Sequence, residues 1–177
     1  MSEAILATSR LLLRRMTRAD HTALHRLFSD PAAMAHYPEP FTPERTSDWI
    51  EWNLRNYEQL GFGLWALVHR QLREVIGDFG LTLQRIDDVD ELEIGYHLLP
   101  ACWKQGLATE AALACRDYAF DSLGRDRVVS WMRPENVASQ RVAQRIGMRF
   151  EKQTTDRHGR AQVVYSMRRE DRGSSEP

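Results

Sequence analysis

The chain has 177 residues, of which 42% are hydrophobic and 28% charged, with a formal net charge of −1. This length suffices for one domain with a sizeable core. The net charge is close to zero, whereas nucleic-acid-binding proteins usually carry an excess of basic residues. No apolar run approaches a membrane span, the N-terminus does not resemble a signal peptide, and two cysteines are too few for a disulfide framework. These totals predict a cytoplasmic globular protein that binds neither nucleic acid nor membranes.

The N-terminal half predicts one strand, two helices and then three strands. A strand is expected over 10–16, and apolar residues at helical spacing predict a helix over 20–29. Thr42 followed by Pro43 is typical of a helix start, and that helix is expected to end near Gly61. Three strand-like runs follow, at 63–68, 75–83 and 91–99.

The C-terminal half predicts alternating helices and strands. A polar turn at 86–90 joins the strands at 75–83 and 91–99, and a helix is then expected over 103–122, a strand over 128–132 and a helix over 136–146. Two further strand-like runs follow, at 149–154 and 162–168. We expect residues 1–169 to form a single α+β domain with a largely antiparallel sheet, followed by a disordered polar tail at 170–177.

The loop between the strand at 91–99 and the following helix carries the strongest chemical signal. Gly106 and Ala108 are small where a backbone must approach a ligand closely, and Lys104 adds a positive charge. Free N–H groups at a helix start, with the positive end of the helix dipole behind them, bind phosphate. The spacing matches neither a P-loop nor a dinucleotide fingerprint. The loop therefore predicts a site for another phosphate-bearing cofactor, although an ordinary tight turn gives the same spacing.

A second informative segment follows one strand later. Asn136 precedes a predicted helix, Ser139 lies one turn into it, and Gly147 ends it. By itself this arrangement is typical of helix capping. The two segments in this order, with one strand between them, are much more specific than either alone.

At these segments the chain resembles the GNAT N-acetyltransferases, in particular the branch of ribosomal-protein N-terminal acetyltransferases (RimJ/RimL-type). The resemblance covers nearly the whole chain. The matching segments are 8–14, 30–31, Tyr37, 65–67, 76–77, 93–96, 103–111 and 135–139. The family implies the GNAT fold, a mixed and mostly antiparallel central sheet flanked by helices on both faces. A V-shaped cofactor cleft would open between the fourth and fifth predicted strands, at 91–99 and 128–132.

The resemblance implies that acetyl-CoA, or CoA after the reaction, binds in this cleft. The backbone of Tyr96, His97 and Leu98 would pair with the pantetheine arm as an added strand. Asn136 and Ser139 would lie beside the pantetheine and the thioester. The diphosphate would be held by the amides of Lys104, Gln105, Gly106, Leu107, Ala108 and Thr109.

Acetyl transfer needs a neutral amine, stabilisation of an oxyanion and departure of a thiolate. A backbone N–H near Leu98 would stabilise the oxyanion. Glu93 is the candidate base, acting through water, because it shares a strand face with His97; an exposed or arginine-paired carboxylate is the alternative interpretation. Ser139 would donate a hydrogen bond to the sulfur, since Ala143 stands where many relatives have a proton-donating tyrosine.

The acceptor is expected to be a primary amine, either a protein N-terminus or a small molecule. Four aromatic residues would line its site, although each also fits a core role: Tyr37, Trp49, Trp52 and Trp65. Dimers are common in the family, so the resemblance allows a homodimer. No metal site is expected, because His21 and His25 lack a third ligand. A CoA-binding module without turnover is the alternative function.

Overall fold

The computed structural model describes residues 4–173, which form one sheet of eight strands flanked by helices. The strands are β1 (Ala4–Ala7), β2 (Leu11–Arg14), β3 (Leu64–His69), β4 (Glu74–Ile86), β5 (Val89–Leu98), β6 (Arg127–Met132), β7 (Arg149–Thr155) and β8 (Ala161–Arg168). Their order in the sheet is β1-β2-β3-β4-β5-β6-β8-β7. Neighbouring strands are antiparallel except β5 and β6, which are parallel. The predicted mixed and mostly antiparallel sheet is confirmed.

Helices cover both faces of this sheet. They are α1 (His21–Phe28), α2 (Pro43–Gln59), α3 (Leu107–Asp117) and α4 (Val137–Arg145). On one face, Phe28 of α1 and Ile50 of α2 pack in a core with Leu64 and Ala66 of β3. On the other face, α3 and α4 pack with alternate residues of the same strands. Successive strand residues therefore serve two different cores, as the two-residue repeat of a strand requires. None of the helices within residues 4–173 combines the length and apolar character needed to cross a membrane.

Several boundaries differ from the sequence-based predictions. The strand β1 was not predicted, and the helix expected from 103 begins only at Leu107 because Lys104 and Gly106 have positive φ angles of 59° and 78°. The polar turn expected at 86–90 contains two residues, Asp87 and Asp88, with φ angles of 48° and 63°. Such left-handed pairs form tight hairpins, so β4 and β5 extend further than predicted.

The first residues of the tail that was expected to be disordered over 170–177 are folded. Arg169–Gly173 form a short 3₁₀ helix, and Arg172 pairs with Asp121 at 2.6 Å. Residues 174–177 lie outside the described residues. The chain thus remains folded past residue 170, the predicted boundary, and this ion pair joins it to a residue that follows the end of α3.

The two parallel strands separate along their length. Glu93 and Val129 form the single register pair between β5 and β6 within the described residues. Just beyond it, the Ser130 hydroxyl donates to the Ile94 carbonyl at 3.0 Å. The remainder of β5, up to Leu98, has no ladder partner on this side, which is the V-shaped opening expected from the sequence.

Candidate active site

The open edge of β5 presents backbone groups of Leu98 to the cleft. Leu99 donates to the Ile76 carbonyl of β4 at 2.9 Å, so the polar groups of the residue before it point away from β4. The Leu98 carbonyl accepts a hydrogen bond from the Trp103 indole at 2.7 Å. The Leu98 N–H points to the same side, into the cleft.

The backbone of His97 does not share this orientation. Its N–H donates to the Asp78 carboxylate at 3.0 Å, on the β4 side. Tyr96, two residues before Leu98, has its backbone toward the cleft by the same alternation. The expected contact between the His97 backbone and pantetheine is therefore corrected: that amide is bound to Asp78.

The predicted diphosphate loop has an unusual backbone. Lys104 and Gly106 both have positive φ, and Gly106, with φ of 78° and ψ of 0°, is the N-cap residue of α3. The N–H groups of Leu107, Ala108 and Thr109 are the first of the helix and have no intrahelical acceptor. Left-handed residues next to a helix start turn successive N–H groups into one concavity, which suits an anion.

A brace that sequence reasoning missed holds this loop. The Arg10 guanidinium donates to the Gln105 carbonyl at 2.9 Å and to Glu110 at 2.6 Å. Glu110 also accepts from the Thr8 hydroxyl at 2.5 Å and from the Ser9 hydroxyl at 3.1 Å. Burial alone would raise the pKa of Glu110, but these donors lower it to about 2. No local pattern signals the brace, because its two halves are about a hundred residues apart.

A groove of about 680 Å³ runs beside the braced loop. Its lining includes Ser9, Gly106, Thr109, Glu110, Leu113 and Arg145. The groove joins the N-terminus of α3 to the C-terminal end of α4. It is large enough to admit part of an extended cofactor next to the free N–H groups.

The start of α4 places Ser139 beside Tyr96. Asn136 is the N-cap residue, and its side-chain oxygen accepts from the Ser139 N–H at 3.1 Å. The Tyr96 hydroxyl is buried and has no hydrogen-bond partner among the described residues. Burial raises the pKa of Tyr96 to about 12, and the nearby Ser139 hydroxyl partly offsets the rise. Because buried polar groups are nearly always paired, this phenol is a candidate to contact a bound molecule.

On the opposite face of β5, Glu93, Gly95 and His97 occupy alternate positions, and we call the surface that they form the floor. Glu93 lies at one end of it. It is half-buried, and it accepts a hydrogen bond from the Thr82 hydroxyl at 2.9 Å. Burial raises the pKa of Glu93, although Thr82 and other donors act against the rise. A side chain at Gly95, the next residue on this face, would begin 3.5 Å from Glu93 Oε2 and 3.7 Å from Leu64. The glycine therefore leaves room between Glu93 and His97.

A hydrogen-bonded chain of side chains lies at the other end of this floor. Asp78 is fully buried, and its carboxylate contacts Trp49 Nε1 at 2.8 Å and His97 Nδ1 at 2.8 Å. The opposite nitrogen of His97, Nε2, lies 2.6 Å from the Tyr37 hydroxyl. Sequence reasoning included Tyr37 and Trp49 but missed Asp78 and the His97 side chain. The alternation of β4 and β5 was the available signal, because Asp78 and His97 are direct partners across the ladder.

The aromatic residues predicted to line the acceptor site divide between the two faces. Tyr37 and Trp49 lie in the chain just described, and Trp52 packs against Trp49 with ring centroids 5.1 Å apart. Trp65 is 1% exposed and packs with Tyr118 in the core under α3. The expectation for Trp65 is therefore corrected, because its strand position directs it to the other side of the sheet.

The two histidines with helical spacing serve local contacts. His21 Nε2 contacts the Pro43 carbonyl at 2.9 Å, and His25 Nδ1 contacts the Thr46 hydroxyl at 3.1 Å. Within residues 4–173, no group of three His, Cys, Asp or Glu side chains is arranged to hold a metal ion.

Comparisons with known proteins identify the family of this domain and support its fold. The acetyltransferase (GNAT) domain family matches residues 10–149. The uncharacterised protein YkkB of Bacillus subtilis is 36% identical over 148 residues, which cover 83% of this chain and 86% of YkkB. A solved acetyltransferase from Agrobacterium tumefaciens is 28% identical, with a TM-score of 0.81 and 96% of each chain covered.

A more distant solved structure is a RimL ribosomal L7/L12 alpha-N-protein acetyltransferase in complex with coenzyme A. It has 20% identity and a TM-score of 0.78, with 94% of this chain and 98% of that chain covered, so it supports the fold alone. The match of the domain family to most of the chain goes further. The chain belongs to the GNAT acetyltransferase family, whose members transfer acetyl groups from acetyl-CoA.

Proposed function

We propose that the protein is an acetyl-CoA-dependent N-acetyltransferase of the RimJ/RimL-type branch. The acceptor is a primary amine, either the N-terminal α-amine of a protein or a small-molecule amine. The observation that carries this proposal is the arrangement around β5. Its open edge faces the α3 loop with free N–H groups, while Glu93 and His97 line a polar floor on the face toward α2.

The residues around the cleft fit coenzyme A. The amides from Lys104 to Thr109 would hold the diphosphate, and Arg10, paired with Glu110, fixes the loop by donating to the Gln105 carbonyl. Leu98 and Tyr96 offer backbone groups to the pantetheine arm in the manner of an added strand. Asn136 positions Ser139 by capping α4.

The bound thioester supplies an electrophilic carbonyl carbon and a sulfur leaving group. The Leu98 N–H would stabilise the carbonyl oxygen as negative charge develops on it. Glu93 is the proposed proton acceptor for the incoming amine, through water. Its raised pKa makes it a stronger base than an exposed carboxylate.

The sulfur side of the reaction involves the hydroxyls of Ser139 and Tyr96. Ala143 is 2% exposed and offers no proton there. The Tyr96 phenol has a raised pKa and therefore keeps its proton at neutral pH, so it can donate a hydrogen bond to a developing thiolate. Ser139 is the second donor, as expected from the sequence.

The charge near the floor favours a cationic acceptor that loses its proton easily. Asp78 and Glu93 are acidic side chains at its two ends. An α-amine with a pKa of about 8 is neutral roughly a tenth of the time at pH 7, whereas a lysine near 10.4 is neutral about once in a few thousand. A weakly basic amine therefore needs less help from the enzyme. The RimL neighbour, named as an alpha-N-protein acetyltransferase, suggests the same acceptor class.

The test is release of free thiol from acetyl-CoA with a panel of peptides and small amines. We expect thiol release with at least one α-amine peptide or weakly basic amine, and mass spectrometry should locate the acetyl group on nitrogen. Tight CoA binding without thiol release across the panel would favour the non-catalytic CoA-binding module instead.

A further inference from the structure

We propose that Tyr37, His97 and Asp78 form a proton-accepting chain that serves the acceptor amine from the side opposite Glu93. Tyr37 would contact the amine nitrogen and would be the catalytic residue. His97 and Asp78 act through it and are positioning residues. This inference rests on the proposed function, because it names how the same site removes protons from its acceptor.

Within this hydrogen-bonded chain, Asp78 and the His97 ring are held by contacts from several directions. Asp78 accepts from three donors: Trp49 Nε1 at 2.8 Å, the His97 N–H at 3.0 Å and His97 Nδ1 at 2.8 Å. The rings of Phe28 and Trp49 enclose the imidazole, with centroids at 5.3 and 5.7 Å and nearly perpendicular planes. Such enclosure excludes water and holds the imidazole in one orientation.

The hydrogen bonds that join Tyr37, His97 and Asp78 are all donated in one direction, from Tyr37 towards Asp78. An ionised carboxylate only accepts, so His97 Nδ1 must carry a hydrogen and donate it to Asp78. In a neutral imidazole the other nitrogen is then an acceptor, and it lies 2.6 Å from the Tyr37 hydroxyl. Burial, with the charges of Glu93 and Asp78, raises the pKa of Tyr37, so the phenol keeps its proton and donates it to Nε2.

The position of Tyr37 suits contact with an acceptor. The residue is 37% exposed although its hydroxyl points inward to His97. Glu93 and His97 are four residues apart on one strand face, roughly 13 Å along the backbone. Gly95 lies between them without a side chain. In the proposal, the acceptor nitrogen contacts the Tyr37 hydroxyl directly and reaches Glu93 through water.

The stoichiometry of acetylation gives the two groups separate tasks. An ammonium acceptor loses two N–H protons as its C–N bond forms and the C–S bond breaks. One of these protons passes to Glu93 through water. The other passes to the Tyr37 oxygen while the Tyr37 proton moves to His97 Nε2, and the resulting imidazolium is stabilised by Asp78. One proton can end on the thiol of CoA, and the other is released to solvent.

The titratable and charged groups that face His97 come from several elements. They are Asp78 of β4, Glu93 of β5 and Tyr37 of the segment before α2, with Arg45 of α2 near Tyr37. A purely structural role, in which the chain only fastens Tyr37 over the sheet, would use the same contacts. Both roles require the same imidazole tautomer, so they differ in the turnover of the variants and in its pH dependence.

The first measurement needs no acceptor. Nitrogen-15 NMR of the protein labelled at histidine should show His97 protonated at Nδ1 and unprotonated at Nε2 at neutral pH. A proton on Nε2 in the neutral ring would overturn the proposal, because that nitrogen could not then accept from Tyr37.

The second measurement uses benzylamine and a tetrapeptide with N-terminal alanine as acceptors. Tyr37→Phe and His97→Gln should each lower kcat by about tenfold to a hundredfold, with little change in CoA affinity. His97→Gln should also change the shape of the pH profile of kcat, because a glutamine cannot take up the proton. Tyr118→Phe and His69→Gln are matched controls that should retain wild-type turnover. Thermal unfolding of all four variants separates loss of fold from loss of proton transfer.

The outcomes separate this proposal from the proposed function. Wild-type turnover with an unchanged pH profile in both Tyr37→Phe and His97→Gln would overturn the proposed proton-accepting role of Tyr37, His97 and Asp78. The proposed acetyltransferase function would still stand. If the wild-type protein acetylates no amine at all, the proposed function fails, and the NMR measurement still decides whether His97 can accept a proton.

Discussion

The diphosphate loop at 104–109 and the acceptor floor between Glu93 and His97 flank the same strand but are built differently. The loop is one contiguous segment, and its chemistry comes from backbone N–H groups and two left-handed residues. The floor is assembled from side chains on α2, β4, β5 and the segment before α2, joined by buried hydrogen bonds. The first requires a local conformation, whereas the second requires the whole fold.

A substitution at Gly106 should affect the loop most strongly and leave the floor unchanged. Gly106→Glu should raise the Kd for CoA by about a hundredfold or more, equivalent to about 2.7 kcal/mol. The new carboxylate would repel the diphosphate, and a side chain at φ of 78° strains the loop. Isothermal titration calorimetry with CoA measures the loss, while the proposed acceptor floor should remain structurally unchanged.

Gly124→Glu is the matched control for that change. Gly124 also has positive φ, 64°, and a side chain there would meet no atom within 4 Å. It therefore carries the same backbone strain without charge near the loop, and its CoA affinity should equal that of wild type. A folded Gly106→Glu protein that binds CoA normally would place the diphosphate elsewhere.

Glu93→Gln tests the role of the floor in proton transfer. We expect kcat to fall by about tenfold to a hundredfold in the pH range above the raised pKa of Glu93 and below the pKa of the amine. In that range the wild-type carboxylate can accept a proton that the amine still holds. A pH–rate profile of the variant that overlays the wild type would exclude Glu93 from the mechanism.

Although Glu93→Gln should lower turnover, we expect it to raise stability at neutral pH. Because burial raises the pKa of Glu93, the folded state holds this proton more tightly than the unfolded chain. Its contribution to stability is therefore largest in acid and falls as pH rises from the ordinary carboxyl range through the raised value. Glutamine does not ionise, so the variant should have a higher Tm than wild type at neutral pH and no such advantage in acid.

The difference between the two regions explains what the sequence predicted. The fold, the α3 loop and the Asn136 cap depend on short contiguous patterns, and these appear in the structure near the predicted positions. Asp78 carries no local signal, because its partners Trp49 and His97 are brought to it only by strand pairing and by α2 packing. Trp65 was misassigned for a related reason. Its residue type suits an acceptor site, but the alternation of side chains along β3 directs it into the core under α3.

A smaller effect is expected at Tyr96, a β5 residue whose hydroxyl lies beside Ser139 at the start of α4. Tyr96→Phe removes a buried hydroxyl that has no partner among residues 4–173. The variant should be as stable as wild type or slightly more so, since an unsatisfied polar group costs free energy when buried. If this phenol donates to the sulfur, kcat should nevertheless fall by about threefold to tenfold, measured as thiol release. Unchanged turnover would leave Ser139 as the proposed donor.

The smallest effect concerns the brace between Arg10 and Glu110. Glu110→Gln weakens the contacts that hold Arg10 against the Gln105 carbonyl, so the loop should be less well ordered before CoA binds. We expect the Kd for CoA to rise by about threefold, the order of one surface ion pair. Calorimetry of Glu110→Gln beside Glu135→Gln, a change at an exposed carboxylate away from the loop, isolates the brace from a general effect of lost charge.

The brace also makes a prediction about acid. Because its donors lower the pKa of Glu110 to about 2, its stabilising contribution is present above the ordinary carboxyl range and is lost as pH falls toward 2. Glu110→Gln should therefore lose less stability than wild type over that interval, measured as Tm against pH. If the two curves run parallel, the carboxylate is not held by these donors in solution, and the order of the loop would have to come from the backbone of Lys104 and Gly106 alone.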